Sequence, residues 1–456
     1  MTAPANEQWT SRATFILAAM GSAIGLGNIW RFPFVTGENG GGAFVLLYLG
    51  FIVFLGVPAL IAMVMIGRRG QKSPIHATRA IAEAEGRSKN WALVGWLTVI
   101  VAYLVLTYFS VIASFSFEYM LKSFEGTFHQ YNSETSQAAY DALLASPYRL
   151  SILHGLFMAL TVLIVAGGIK GGIETATAIL MPGLFLILIG LVLYALIAGE
   201  GMKAITFLFA PDFSKITPNV ILLAMGQAMF TLSVGGSGMI AYGAYLSKDI
   251  SITRSVIIIA AADTAVALLA GLMIFPIVFA SGLLPGAGPG LIFVTLPIAF
   301  GQMPGGDIVG IAFFVLLLFA ALSTSIAMSQ PVVAWLEERF DMNRVLGSVL
   351  SGAVAWIIGL LTVFSFNILS DFHPFNFIPR FTGKTIFGVL DDFISNMALP
   401  FSALCLVIFS GWIISTRSSA QELNMDSKLA YFIWHMLMRF VVPAVLISIF
   451  VMNFLS

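Results

Sequence analysis

Charge is scarce in this chain of 456 residues: Asp, Glu, Lys and Arg together make up 10%, where a soluble domain carries about 25%. The few charges balance, 22 basic against 22 acidic, so the basic footprint of a nucleic-acid-binding protein is missing. Cysteine is nearly absent. Cys405 stands alone, which excludes an intramolecular disulfide and a cysteine-based metal site; within its apolar run it reads as a small buried hydrophobe. The apolar segments hold no cluster of His and Cys and no hydrolytic triad, so a membrane enzyme finds no support. What abounds is apolar surface, with 59% hydrophobic residues and a mean hydropathy of +0.96. The sequence is that of an all-α polytopic membrane protein.

A helical span needs about 20 mostly apolar residues. Eleven segments qualify, at about 13–36, 43–66, 91–121, 149–168, 173–198, 217–246, 251–281, 308–336, 345–366, 386–414 and 429–453. The first twelve residues lack a basic n-region, and the run after them is too long and interrupted for a cleaved signal, so it is kept as the first span. With the N-terminus inside, about 14 basic residues fall in inner loops and about six in outer loops, which is the orientation the positive-inside rule selects. An odd number of spans then leaves the C-terminus outside. The connector 67–90 predicts a cytoplasmic amphipathic helix starting at Ser73-Pro74. The connector 282–307 is apolar but rich in Gly and Pro, and predicts a re-entrant hairpin cap on the outer face.

Two spans are unlike the rest. The first contains Gly21-Ser22-Ala23-Ile24-Gly25-Leu26-Gly27-Asn28-Ile29-Trp30-Arg31-Phe32-Pro33. Each Gly costs about 1 kcal/mol of helix propensity relative to Ala, and an Arg near hydrocarbon costs at least about 2.5 kcal/mol. Backbone freed from a helix at membrane depth must line a cavity or be buried in protein, so this is a broken helix whose carbonyls and amides are put to use. The sixth span, Gln227 to Gly238, repeats the pattern with Thr231, Ser233, Gly235 and Gly236. Matching interruptions in two halves point to a transporter binding site between inverted repeats. The predicted organisation is a single transporter domain: a first repeat at 13–198, an inverted second repeat at 217–414, and an extra helix at 429–453.

The polar residues left inside spans are Asn28, Thr231, Ser233, Asp263, Ser323 and Thr324. Hydroxyls, one amide, one carboxylate and free carbonyls form a hard-oxygen set that suits a small alkali cation. Half-helix N-termini at the breaks supply amides for a substrate carboxylate. Asp263, in the middle of an apolar span, should be protonated, paired or bound to a cation. The hydroxyls have a plainer use as helix glue or back-bonds to the preceding turn.

Taken with ENGGGAF (Glu38–Phe44), QAMFTLSVG (Gln227–Gly235), GLIFVTLP (Gly290–Pro297) and FAALSTSIAMSQP (Phe319–Pro331), the first-span motif resembles the neurotransmitter:sodium symporters, in their bacterial eleven-helix branch. The resemblance covers essentially the whole chain. It implies a five-plus-five inverted-repeat fold with broken first and sixth helices, and two sodium sites. One would use the carbonyls of Gly21, Ile24 and Ala320 with the hydroxyls of Ser323 and Thr324. The other would use the Ala23 carbonyl, Asn28, Thr231 and Asp263. Most relatives have Asn where Asp263 stands, and animal members bind chloride beside it. Here the charge is built in, and the chloride-holding serine aligns to Ala267, so transport is expected to be chloride-independent.

The same resemblance places the substrate between the breaks, its carboxylate on the Leu26 and Gly27 amides next to Ala23. Val105, Phe109, Phe230, Thr231, Ser233, Gly236, Thr324 and Met328 would line the rest. Two departures matter. The pocket tyrosine of the family aligns to Phe109, leaving Tyr108 or water to replace its hydroxyl, and a bulky pocket residue of the bacterial branch aligns to Gly236, enlarging the side-chain compartment. Arg31 would latch the outer path onto Asp391 or Asp392. The inner arginine of some relatives aligns to Asn6, so Trp9, Arg12 and Glu338 stand as inner-gate candidates. Gly172 and Pro182 bracket a stretch of the fifth span that relatives unwind. The expected function is sodium-coupled import of an amino acid or close derivative; the alternatives are a sodium-dependent carrier of an amine, betaine or sulfonate, and a proton-coupled permease.

Overall fold

A computed structural model of the protein describes residues 8–282 and 290–455. Among them there is no strand. Nine helices are long and apolar enough to cross a membrane: Gly42–Gly70, Lys89–Phe124, Pro147–Ala166, Ile169–Ala198, Ile252–Ala280, Gly306–Phe340, Arg344–Ser365, Ile386–Ile413 and Lys428–Met452. A bent pair, Arg12–Ala23 and Gly27–Glu38, adds a tenth span with a 53° turn at its break. The interrupted segment made of Pro218–Thr231 and Gly238–Gly243 supplies the sixth, giving the eleven expected. Lipid-facing positions carry the apolar side chains that a soluble protein would hide, among them Leu163, Leu186 and Ile197 at 69%, 75% and 85% exposure.

Local sequence explains where the two special helices stop. The first span starts on a capping box, with Ser11 accepting from the Thr14 amide and Thr14 answering to the Ser11 amide. It stops at Ile24, whose backbone is extended at φ −72° and ψ 104°. Gly25 follows because nothing larger fits: a Cβ there would stand 2.7 Å from Thr324 Oγ1. The chain re-enters a helix at Gly27–Arg31 as a π-turn, a form that concentrates at functional sites. The sixth span is stopped differently. Ser233 and Gly235 take left-handed backbone, at φ 52° and 95°, and the Ser402 hydroxyl ties the Gly235 carbonyl at 2.6 Å.

The third and eighth spans, Lys89–Phe124 and Gly306–Phe340, pack along each other, and the eighth also packs on both broken helices. Pro74–Ala84 forms the expected connector helix, with Ser73 before it and Pro74 at its first turn. On the opposite face, Leu291–Gln302 forms a buried apolar helix; residues 283–289 of the expected hairpin lie outside the described residues. The fifth span does not unwind between Gly172 and Pro182: its π-turn Ile169–Glu174 runs directly into the continuous helix Thr175–Ala198, with Pro182 inside it. Pro182 leaves the helix intact because packing on the first and eighth spans holds it.

Candidate functional site

The break in the first span sits against the sixth, seventh and eighth spans, and each face of it meets a different group of oxygens. On one side Thr324 Oγ1 lies 3.4 Å from both the Gly21 and Ile24 carbonyls and 3.0 Å from that of Ala320. Ser323 Oγ is 3.0 Å from the same Ala320 carbonyl. All five residues of the first expected ligand set are therefore together and buried. Close approach is enforced by glycine, since a Cβ at Gly21 would lie 2.8 Å from Ser323 Cβ. No group of three or more His, Cys, Asp or Glu that could hold a metal occurs among the described residues, so this neutral oxygen cluster suits a weakly polarising monovalent cation rather than a transition metal.

On the other side Asn28, Thr231 and Asp263 form a closed network. Asn28 Nδ2 donates to Asp263 Oδ1 at 2.9 Å, to the Asp263 carbonyl at 3.1 Å and to Thr231 Oγ1 at 2.9 Å. Thr231 Oγ1 donates to Asp263 Oδ2 at 2.9 Å. Asn28 Oδ1 accepts from the Gly25 amide at 3.1 Å, so the side chain also fastens the break itself. All three side chains are buried. Both carboxylate oxygens of Asp263 are thus held by donors, and among the described residues no basic side chain pairs with it within 4 Å. For Asn28 to present its oxygen to a cation, its amide must rotate and exchange the two atoms. Ala23 ends the helix Arg12–Ala23 on the other side of the same break.

Between the clusters, the backbone N–H groups of Leu26 and Gly27 have no acceptor among the described residues, while those of Ile24, Gly25, Asn28 and Ile29 are all used. Two free, adjacent amides at a helix N-terminus are an anion site. Phe230 covers Gly27, where a Cβ would lie 3.0 Å from its ring. Val105, Tyr108, Phe109 and Met328 cluster on the third- and eighth-span side. Gly236 keeps that compartment open: beyond the Ser233 carbonyl at 3.2 Å, a Cβ there would meet only Ala102, at 4.0 Å.

The expected outer latch is not closed. Arg31 lies 4.3 Å over the Phe230 ring, and no ion pair joins it to Asp391 or Asp392. Asp392 is taken by Arg380 at 2.8 Å and Lys384 at 2.9 Å, which removes it as a partner. Asp391 holds Ser395 Oγ at 3.3 Å and is the carboxylate within electrostatic reach of Arg31 and of the Tyr108 hydroxyl. Tyr108 thus points its hydroxyl to the latch rather than to the free amides, and Phe109 remains without one.

Among the residues expected at the inner gate, Trp9 is packed into the core. Trp9, 5% exposed, donates from its indole to the Tyr242 carbonyl at 2.9 Å and from its amide to the Tyr245 carbonyl at 3.2 Å, with its ring edge-on to Phe15 and Tyr242. Arg12 bonds to Ser255 Oγ at 3.3 Å. Glu338 does not reach the first span; it accepts from the Ser73 amide at 2.6 Å and contacts His76 at the start of the connector helix. Asn6 lies outside the described residues.

Some residues of the site escape a reading of the sequence. Gln227 donates to the Gly27 carbonyl at 3.1 Å, tying the two breaks together; a glutamine in an apolar helix four residues before Thr231 was the available signal. The Tyr48 hydroxyl is buried beside Thr231, Thr264 and Asp263; a lone tyrosine in an apolar span gives no such signal. Arg344, Gln330 and Tyr245 continue the inner closure, with Gln330 Nε2 donating to the Tyr245 hydroxyl at 3.1 Å and Arg344 Nε to the Val165 carbonyl at 2.9 Å.

Helices broken at matched places around clustered oxygens define a secondary transporter with the five-plus-five inverted-repeat architecture. The chain belongs to the Sodium:neurotransmitter symporter family, whose profile matches residues 6–143 and 145–456. It is 40% identical over 450 residues to the sodium-dependent transporter YhdH of Bacillus subtilis (strain 168), covering 97% of this chain and 96% of that one. It is 34% identical to a sodium-dependent transporter of Haemophilus influenzae over 98% of each. Among solved structures, MhsT in complex with L-phenylalanine superposes with a TM-score of 0.88 at 39% identity, covering 98% of this chain and 99% of that one. The protein is a sodium-dependent, multi-pass membrane transporter.

Proposed function

We propose that the protein imports an apolar α-amino acid, with an aromatic side chain preferred, together with two sodium ions, and that it does so without chloride. The observation that carries this reading is the pair of unclaimed amides at Leu26 and Gly27, set between two oxygen clusters and facing an apolar compartment. The amides take the substrate carboxylate. Gly21, Ile24, Ala320, Ser323 and Thr324 bind one sodium. Ala23, Asn28, Thr231 and Asp263 bind the other, next to the carboxylate, so that cation and substrate stabilise each other. Phe109, Phe230 and Met328 form the side-chain compartment, which Gly236 enlarges; the phenylalanine complex of a relative 39% identical supports an aromatic occupant.

Repeats at 13–198 and 217–414 rock about this site, with 429–453 packed outside them. The N-terminus is cytoplasmic and the C-terminus is outside, so Trp9 closes the cytoplasmic path and Arg31 with Asp391 the external one. Moving one charge through 100 mV releases about 2.3 kcal/mol, so two sodium ions drive steep accumulation. A thermal-shift screen of the amino acids, betaine, taurine and amines, with and without sodium, tests the proposal. Stabilisation follows RT ln(1 + [L]/Kd), so phenylalanine, tryptophan or tyrosine should stabilise only with sodium present. Stabilisation by an amine or a sulfonate with every α-amino acid silent refutes the carboxylate cradle. Sodium-dependent counterflow in proteoliposomes separates a carrier from a channel, which gives none.

A further inference from the structure

The tenth and eleventh spans, Ile386–Ile413 and Lys428–Met452, meet near the connector 414–427, and at that level both widen into π-turns, Phe409–Ile413 and Leu437–Val441. Gly411 lets the backbones close there, since a Cβ would lie 2.9 Å from the Met438 carbonyl. The Trp412 indole donates to the Arg439 carbonyl at 3.0 Å. The turn thus built carries Arg439, a cation inside a membrane span. Its guanidinium carbon lies 4.4 Å over the Trp412 ring and 5.8 Å from that of Phe440. Both rings face outward, at 47% and 53% exposure, on a span that also exposes Phe432, Ile433 and Val441.

No carboxylate answers Arg439. Among the described residues it enters no ion pair and no side-chain hydrogen bond, and its Nε is buried without a partner. His435, one turn earlier, offers no negative charge, and its own Nδ1 lacks a partner. An unpaired Arg on a lipid-facing helix is costly unless its head reaches an interface. Stacking on two rings relieves part of that but accepts none of the five N–H donors. The planar guanidinium matches a phosphate, and tryptophan at the end of a span marks headgroup depth.

We propose that Arg439, Trp412 and Phe440 form a binding site for the phosphate of an anionic glycerophospholipid, in the leaflet beside the connector 414–427. The guanidinium fork holds the phosphate, and the two rings flank the glycerol and upper acyl chain. Exposed Arg417 and Lys428, at the same ends of these spans, add to the uncompensated charge of Arg439, and it is the lipid held there by Arg439 that is chosen net-anionic over zwitterionic. The site does not depend on which leaflet is cytoplasmic.

The test uses the full chain, delipidated in detergent and presented with equal amounts of phosphatidylglycerol and phosphatidylcholine, with bound lipid counted by native mass spectrometry. Wild type should retain phosphatidylglycerol with about ten-fold preference, the scale of one lost charge-assisted contact. Arg439→Leu should abolish the preference, and Lys215→Gln, remote from the site, should keep it. Equal retention of both lipids by wild type overturns the proposal, as does undiminished preference in Arg439→Leu. So does a dimer that covers the patch and excludes lipid. A second measurement needs no variant: a photoactivatable phosphatidylglycerol should label wild type on the peptides carrying Trp412 and Phe440, and labelling confined to other spans refutes the site.

Discussion

Asp263→Asn should weaken sodium binding and make it respond to chloride. The carboxylate accepts from Asn28 Nδ2 at Oδ1 and from Thr231 Oγ1 at Oδ2, each at 2.9 Å. An amide in its place has one acceptor where two donors converge, so its NH2 must face a donor and one of the two bonds is lost. A hydrogen bond to a charged group is worth about 1.5–3 kcal/mol. The bonds orient Asn28 and Thr231, both expected cation ligands, so sodium affinity should fall by about ten- to a hundred-fold at about 1.4 kcal/mol per decade. Removing the carboxylate also removes the built-in charge beside the sodium. Chloride should therefore restore part of the affinity in the variant while leaving wild type indifferent. Sodium titrations of thermal stability, run with chloride and with gluconate, read both effects. Wild-type uptake that collapses in gluconate would refute the reasoning, and so would an Asp263→Asn protein with unchanged sodium affinity in either anion.

Further perturbations test other parts of the site. Thr324→Val keeps the volume but removes the hydroxyl within 3.4 Å of three carbonyls; sodium affinity by titration should drop by about ten-fold, as one lost ligand hydrogen bond implies. Gly25→Ala puts a Cβ 2.7 Å from Thr324 Oγ1 and should abolish uptake in proteoliposomes while the protein still folds in detergent. Hydrogen bonds from Ser418, Arg69 and Ser415 outweigh burial at Glu85 and lower its pKa from 4.5 to about 2. Because the folded pKa is depressed, that stability is present above about 4.5 and is lost as pH falls towards 2. Glu85→Gln should therefore lower Tm at pH 7, and the gap to wild type should narrow progressively below pH 4.5.

The sequence made the eleven spans and both broken helices legible, because glycine and polar residues inside apolar runs have few uses other than a break. The two oxygen clusters were legible for a related reason: hydroxyls, an amide and a carboxylate stand out against hydrocarbon. Three features were not legible. The π-turn at Gly27–Arg31 depends on how the neck of the helix closes over Asn28, a tertiary effect without a local code. Glu338 meets Ser73 across 265 residues, and nothing at either position announces the other. The Arg31 latch was legible as a pair of charges but not as a contact, because its distance belongs to a conformation and not to a composition.

With Trp9 bonded to the Tyr242 and Tyr245 carbonyls and Arg31 parked on Phe230, the contacts expected of the inner gate are made and the expected outer latch is not. The inner closure is also broad: Trp9 holds the sixth span, Tyr245 passes to Gln330, and Arg344 reaches the fourth-span carbonyl of Val165. The outer closure needs one contact, and the ring that Arg31 leaves is the ring that covers Gly27. A substrate seated on the Leu26 and Gly27 amides touches that same ring, so occupancy of the site and release of Arg31 towards Asp391 become one event. Substrate can then close the outer path only by completing the site, whereas the inner path must break several bonds before it opens. Trp9→Ala removes the plug and its indole bond from this side alone. It should raise the reactivity of a thiol placed at Ser22, in a Cys405→Ala background, towards a polar reagent without raising that of a thiol at Ser395. Equal gains at both positions would mean that the two ends are loosened together and that the asymmetry has no part in the cycle.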